Sequence, residues 1–125
     1  MKNFLYIGLA AACGAWSRWS LSILLNSMHP LLPLGTLTVN LIGGYLIGIS
    51  LGAFELYSEL SPDIKLIINI GFLGGLTTFS AFTAEVFQLL QKNEFVSSLI
   101  LVALHVFGSL LMAYLGWLSI SFIKQ

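Results

Sequence analysis

Four apolar stretches, each about as long as a bilayer-spanning helix and each separated from the next by a short polar loop, constrain this chain more than anything else in it. A membrane-crossing helix needs ~20 mostly apolar residues. Such stretches are expected at residues 4–25, 34–56, 64–90 and 95–122. The loops between them carry Asn26-Ser27-Met28-His29-Pro30, then three acids and Pro62 between Glu55 and Asp63, then Gln91-Lys92-Asn93-Glu94. What remains is too short for a soluble domain. The expectation is an all-α membrane protein, with residues 1–125 forming a single four-helix transmembrane domain.

Composition removes the soluble alternative. Of 125 residues, 58% are hydrophobic and only 8% charged, against about a quarter charged in ordinary soluble domains. A water-soluble chain this small keeps much of its surface exposed and has no place to hide so much apolar side chain. The net charge is zero and there is no basic run, so nucleic acid is not an expected partner. Cys13 is the only cysteine, which leaves no intrachain disulfide and no cysteine-based metal site. Lys2, the apolar run after it and Ala10-Ala11-Ala12 look superficially like a signal peptide. The apolar character continues past Arg18, however, and the segment reads as a retained helix.

The third stretch carries an interruption. Gly71-Phe72-Leu73-Gly74-Gly75-Leu76-Thr77-Thr78 gathers three glycines and two threonines near mid-span. Glycine is costly inside a helix, and a break at membrane depth survives only where protein buries it or a polar cavity adjoins it. A functional break is expected there. The competing reading is a close helix crossing, since small residues let helices approach. Gly43, Gly44, Gly48 and Gly52 of the second stretch fit that competing reading well.

Polar groups at membrane depth each need a reason. Asn40 fits either an interhelical hydrogen bond or a donor facing an anion path, because its amide has two donors and one acceptor oxygen. Arg18, between Trp16 and Trp19, either snorkels to the interface or lends positive charge to an anion vestibule. Glu85, late in the third stretch, is read as structural. Phe79 and Phe82 share a helix face by their i, i+3 spacing; spacing alone favours plain packing, although ring edges are positive and can meet an anion. His105 and Ser109 share a face of the fourth stretch and, with Ser80, outline a weak polar track. No paired carboxylates, Cys/His cluster or nucleophile–base motif is present, so an enzyme is not expected.

At these residues the chain resembles the Fluc/CrcB family of fluoride channels over essentially its whole length. Gly71-Phe72-Leu73-Gly74-Gly75-Leu76-Thr77-Thr78-Phe79-Ser80-Ala81-Phe82 resembles the family's GxxGGxTTFSTF signature. Gly35-Thr36-Leu37-Thr38-Val39-Asn40-Leu41-Ile42-Gly43 resembles its GTLxVNxxG segment, and Gly14-Ala15-Trp16-Ser17-Arg18-Trp19 its GAxxRY. Ala81 and His105 depart from the family's usual residues, and both lie on the polar track.

The resemblance implies a fluoride-selective channel that exports fluoride passively and gives fluoride resistance, working as an antiparallel, dual-topology homodimer in the lipid bilayer of the cytoplasmic (inner) membrane. It implies a fluoride pathway along Thr38, Asn40, Phe79, Ser80, Phe82, His105 and Ser109, with Arg18 at the vestibule. It further implies a structural sodium ion (Na+) at the dimer centre, held by backbone oxygens of Gly74 and Thr77. The charge pattern agrees with dual topology. Lys2, Lys65 and Lys124 fall on one side of the membrane and Lys92 on the other, with Arg18 counted there too. Three against two is almost no positive-inside bias. A small multidrug transporter, the main competitor, is built on an acid in its first helix, where this chain has none and carries Arg18 instead.

Overall fold

A computed structural model describes residues 2–124 of the chain. The expected single domain therefore has Met1 and Gln125 outside the described residues, and for Lys124 only the backbone is described. The fold is all-helical, with four long helices: α1 (Lys2–Leu25), α2 (Leu34–Leu56), α3 (Pro62–Gln91) and α4 (Phe95–Ser121). Helix 2 starts and ends where the sequence placed it. Helix 3 begins two residues earlier than expected. Ser61 caps it, accepting from the Asp63 N–H at 3.2 Å, and Pro62 occupies the first turn, where its missing N–H costs nothing. A short 3-10 turn, Phe122–Lys124, follows α4.

Helices α2, α3 and α4 are long and apolar enough to cross a membrane. Helix α1, at 24 residues, is about 36 Å long at 1.5 Å per residue. Its length suffices, but Asn3, Ser17, Arg18, Ser20 and Ser22 dilute its apolar character. Two of those hydroxyls bond back to their own helix, Ser17 to Cys13 O and Ser20 to Trp16 O, each at 2.9 Å. Such back-bonding satisfies a hydroxyl without a partner from outside.

Small residues set the packing. Helix α1 lies along the first half of α3, and α2 along the second half of α4. A Cβ on Gly14 would run into the backbone of Phe72 and Leu76, one on Gly75 into that of Ala11, and one on Gly71 into Ala10 and Ile7. In the other pair, Gly44 faces the Ser109 backbone, Gly48 the Ala113 carbonyl, and Gly116 the Tyr45 carbonyl. Bare backbone against backbone is how helices gain contact where the surroundings are as apolar as leucine. The buried centre is small: Val39, Leu73 and Leu76, with Leu21, Leu46, Ile47 and Phe72 against it. The outside is where the large apolar side chains are, among them Phe4, Leu9, Trp16, Trp19, Phe107, Leu110 and Tyr114. An apolar exterior around a modest core is the arrangement expected when the solvent is lipid.

Candidate functional site at the break in helix 3

The interruption is real, and it is narrower than the glycine cluster suggested. Helical geometry runs through all three glycines: a wide π-type stretch, Leu66–Leu73, passes into one α turn, Gly74–Leu76. Only Thr77 (φ −81°, ψ 159°) and Thr78 (φ −152°, ψ 121°) are extended, after which Phe79–Gln91 resumes as α-helix. Gly71 and Gly75 thus serve the close crossing with α1 and are not the break itself. β-branched threonine tolerates extended backbone better than helix, and each threonine hydroxyl manages a helix end. The Thr77 Oγ1 donates to Leu73 O at 2.8 Å, closing the first half. The Thr78 Oγ1 accepts from the Ala81 N–H at 3.1 Å, capping the second.

Asn40 of α2 repairs what the break leaves open. Its Oδ1 accepts from the Thr78 N–H at 2.8 Å, and its Nδ2 donates to Thr78 O at 2.9 Å. One side chain thereby satisfies both backbone groups of a residue outside helical geometry, as a membrane interior requires. In an unbroken helix the Thr78 N–H would bond the Gly74 carbonyl. Given to Asn40 instead, it frees that carbonyl of its regular partner. Arg18 reaches the same place from α1, its Nη1 donating to Thr77 O at 3.1 Å. The structure thus turns Arg18 inward, away from a snorkelling pose.

Asn40 also touches α4: its Nδ2 lies 3.0 Å from His105 Nδ1. His105 is buried, within a π-type stretch, Leu104–Gly108, and its ring lies 4.5 Å from that of Phe82 at a tilt of 31°. Phe82 in turn meets Phe79 edge to face, centroids 5.4 Å apart at 62°. Phe82 is buried and Phe79 is 77% exposed, so the shared face predicted by their spacing has one inner and one outer ring. An open cavity of about 530 Å³ is lined by Asn40, Gly74, Thr77, Phe79, Phe82, His105 and Ser109.

Of the residues predicted from sequence, those seven come together at one place. Ser80 stands beside them, its Oγ 3.3 Å from Thr78 Oγ1, but it does not line the cavity. Ser109 donates to Asn40 O over a long 3.5 Å. Thr38 lies on α2 two residues from Asn40 and is not part of the lining. Among the described residues there is no group of three or more His, Cys, Asp or Glu arranged to hold a metal.

Several polar links were not legible in the sequence. Thr36 Oγ1 donates to Glu85 Oε1, which suits the structural reading of Glu85 and ties α2 to the second half of α3. Ser50 Oγ donates to Asn69 Oδ1 at 2.7 Å, tying α2 to the first half. Tyr45 and Ser119 hydroxyls lie 3.0 Å apart between α2 and α4. Asn69 also lines the cavity. Its signal was its amide inside an apolar run, the same signal that marked Asn40.

Comparison with known proteins places this geometry in context. Residues 5–117 match the family model described as CrcB-like protein, Camphor Resistance (CrcB). The chain is 49% identical over 124 residues to a Pseudomonas putida (strain W619) protein named fluoride-specific ion channel FluC, covering 99% of this chain and 98% of that one. It is 46% identical over 118 residues to the protein of that name from Ralstonia pickettii (strain 12J), covering 94% of each. A third, from Dechloromonas aromatica (strain RCB), is 49% identical over 118 residues, covering 94% of this chain and 87% of the relative.

Proposed function

From the premise that this chain belongs to the CrcB family, we propose that it is a fluoride-specific ion channel that lets fluoride leave the cell passively and so confers fluoride resistance. The observation that carries this reading is the near full-length identity to relatives bearing that name, with the family signature falling on the break in α3. The work is conduction, not catalysis. A negative cell interior assists anion exit by ~2.3 kcal/mol per unit charge per 100 mV, so no energy-coupling machinery is needed.

In this reading all four long helices cross the cytoplasmic (inner) membrane, and two copies pair in opposite orientations. The exposed Phe79 and the open approach to Gly74 support a second copy seated against the break: a Cβ on Gly74 would meet nothing nearer than Asn69 O at 3.7 Å. A sodium ion at that junction would be held by Gly74 and Thr77 carbonyls from both copies. The residues fit it. The Gly74 carbonyl lacks its regular helix partner, and Thr77 O, bonded once by Arg18, keeps a second lone pair. When bound, such an ion supplies fixed positive charge in a low-dielectric setting, which favours a nearby anion. Arg18 adds charge of the same sign to the vestibule.

Fluoride gives up tightly held water on entering, so a pore must offer many weak contacts and no deep trap. Ring edges of Phe79 and Phe82 and the hydroxyl of Ser109, all lining the cavity, supply contacts of that kind. Purified protein in liposomes should release fluoride on permeabilising the membrane to a counter-ion, and should retain chloride. Equal release of the two anions, or of neither, would refute the reading.

A further inference from the structure

The first loop is held in shape by one ring nitrogen. Pro30 and Pro33 have no N–H to give. The two residues between them, Leu31 and Leu32, donate theirs to Nδ1 of His29 at 3.2 and 3.0 Å. Asn and Asp make the same kind of turn with a side-chain oxygen. An imidazole differs in one respect: it is the side chain that gains its proton between about pH 5 and 8. Both donors are backbone N–H groups, so the turn exists only while Nδ1 keeps its lone pair. His29 is exposed, and protons reach it freely. The loop packs on the end of α3, where Asn26 and His29 line a pocket of about 170 Å³ with Glu85, Gln88, Leu89 and Lys92. Of the charged groups facing His29, α3 supplies one carboxylate, Glu85, and one ammonium, Lys92. Residues 21–28 before the loop and 34–40 after it carry no charge.

We propose that residues 29–33 form an acid-released lid over the outer end of the candidate site, with His29 as its latch; the lid's effect on ion flow rests on the channel reading above. Thr36 lies one turn outward from Asn40 on α2, and Glu85 one turn outward from Phe82 on α3, and the two are hydrogen-bonded. The pocket under the loop thus continues the helix faces that carry the cluster at the break. A protonated His29 has an N–H at both ring nitrogens. Its Nδ1–H would point at two other N–H groups, so the turn is present above the histidine range and lost as pH falls through it. The release is local. Asn26 Oδ1 separately accepts from the Gly35 N–H at 2.7 Å, so α2 keeps its start while the loop swings off α3.

Two measurements test the lid. In ¹H–¹⁵N spectra of the protein in lipid nanodiscs, the Leu31 and Leu32 amide protons should move upfield, to unbonded positions, in step with the titration of the His29 ring. His29→Asn puts a non-titrating oxygen near the place of Nδ1, so both amides should stay bonded at every pH. His29→Ala should leave both unbonded at every pH. In planar bilayers, where neutral HF carries no current, fluoride current should rise about twofold or more between about pH 7.5 and 5.5, the interval in which histidine gains its charge. The rise should be absent in His29→Asn, which stays at the lower level, and His29→Ala should carry the higher current throughout. Leu31 and Leu32 amides that hold still while His29 titrates would overturn the latch. A current indifferent to pH, or a rise that survives in His29→Asn and so belongs to Glu85, would refute the lid. No fluoride current at any pH would instead remove the channel reading, and the amide shifts would still decide the latch.

Discussion

At the scale of single residues, the two phenylalanines and Asn40 divide the labour at the break. Ile in place of Phe79 or Phe82 keeps apolar bulk and removes the positive ring edge. If the rings only pack, such a swap costs little, as volume-conserving changes usually do. Phe79 is mostly exposed in the single chain, so its replacement should leave folding untouched. Both Phe79→Ile and Phe82→Ile are expected to cut fluoride flux sharply while size-exclusion chromatography shows an unchanged species. Undiminished flux in both would end the aromatic-edge mechanism. Asn40 differs, because its amide completes the backbone of Thr78 at both ends. Asn40→Leu strands two buried backbone groups at about 1–3 kcal/mol each and should lower the thermal unfolding temperature in detergent. Asn40→Asp removes the Nδ2 donors and places negative charge on the proposed anion path. It should abolish efflux, and normal efflux by that variant would confine Asn40 to packing.

At the scale of helices, the glycines decide how closely the bundle closes. A methyl at Gly48 would collide with the Ala113 carbonyl, which is backbone and has no rotamer to escape into. A methyl at Gly8 would meet nothing within 4 Å. Gly48→Ala should therefore destabilise by about 1–3 kcal/mol, the usual cost of overpacking, while Gly8→Ala should be silent; equal unfolding temperatures for the two would contradict the packing described. The helices themselves were legible, because long apolar runs bounded by Pro, Asn and acidic loops leave little choice. The site of the break was half legible. The glycines drew attention to residues 71–78, yet they serve the crossing with α1, and the extended residues are the two threonines. Sequence density cannot separate a glycine used for closeness from one used for bending, since both need a missing side chain. Nor could it place His105 against Asn40. That pairing joins positions 65 residues apart, and it depends on the turn of α4 that the wide Leu104–Gly108 stretch sets.

At the scale of the whole molecule, the three-against-two split of Lys and Arg and the open face at Gly74 both bear on the proposed pairing of opposed copies. Several lysines appended to one terminus should force a single orientation and depress flux, and co-expression with an oppositely biased copy should restore it. Labelling of the unmodified chain from one side only would rule out pairing of opposed copies. Gly74→Val puts bulk into open space in one chain, so its fold should persist while the proposed two-copy species dissociates on size-exclusion chromatography; an intact dimer would rule out the proposed contact at Gly74 and the proposed sodium site with it. The loan that Asn40 makes to Thr78 also bears on biogenesis. Helix 3 alone cannot satisfy its own peptide groups, and in hydrocarbon each lapse costs several kcal/mol. As the chain is synthesised, the second helix emerges before the third, so the lender is already in the bilayer when the debtor arrives. A circular permutant that delivers helix 3 first would reach the insertion machinery without its creditor.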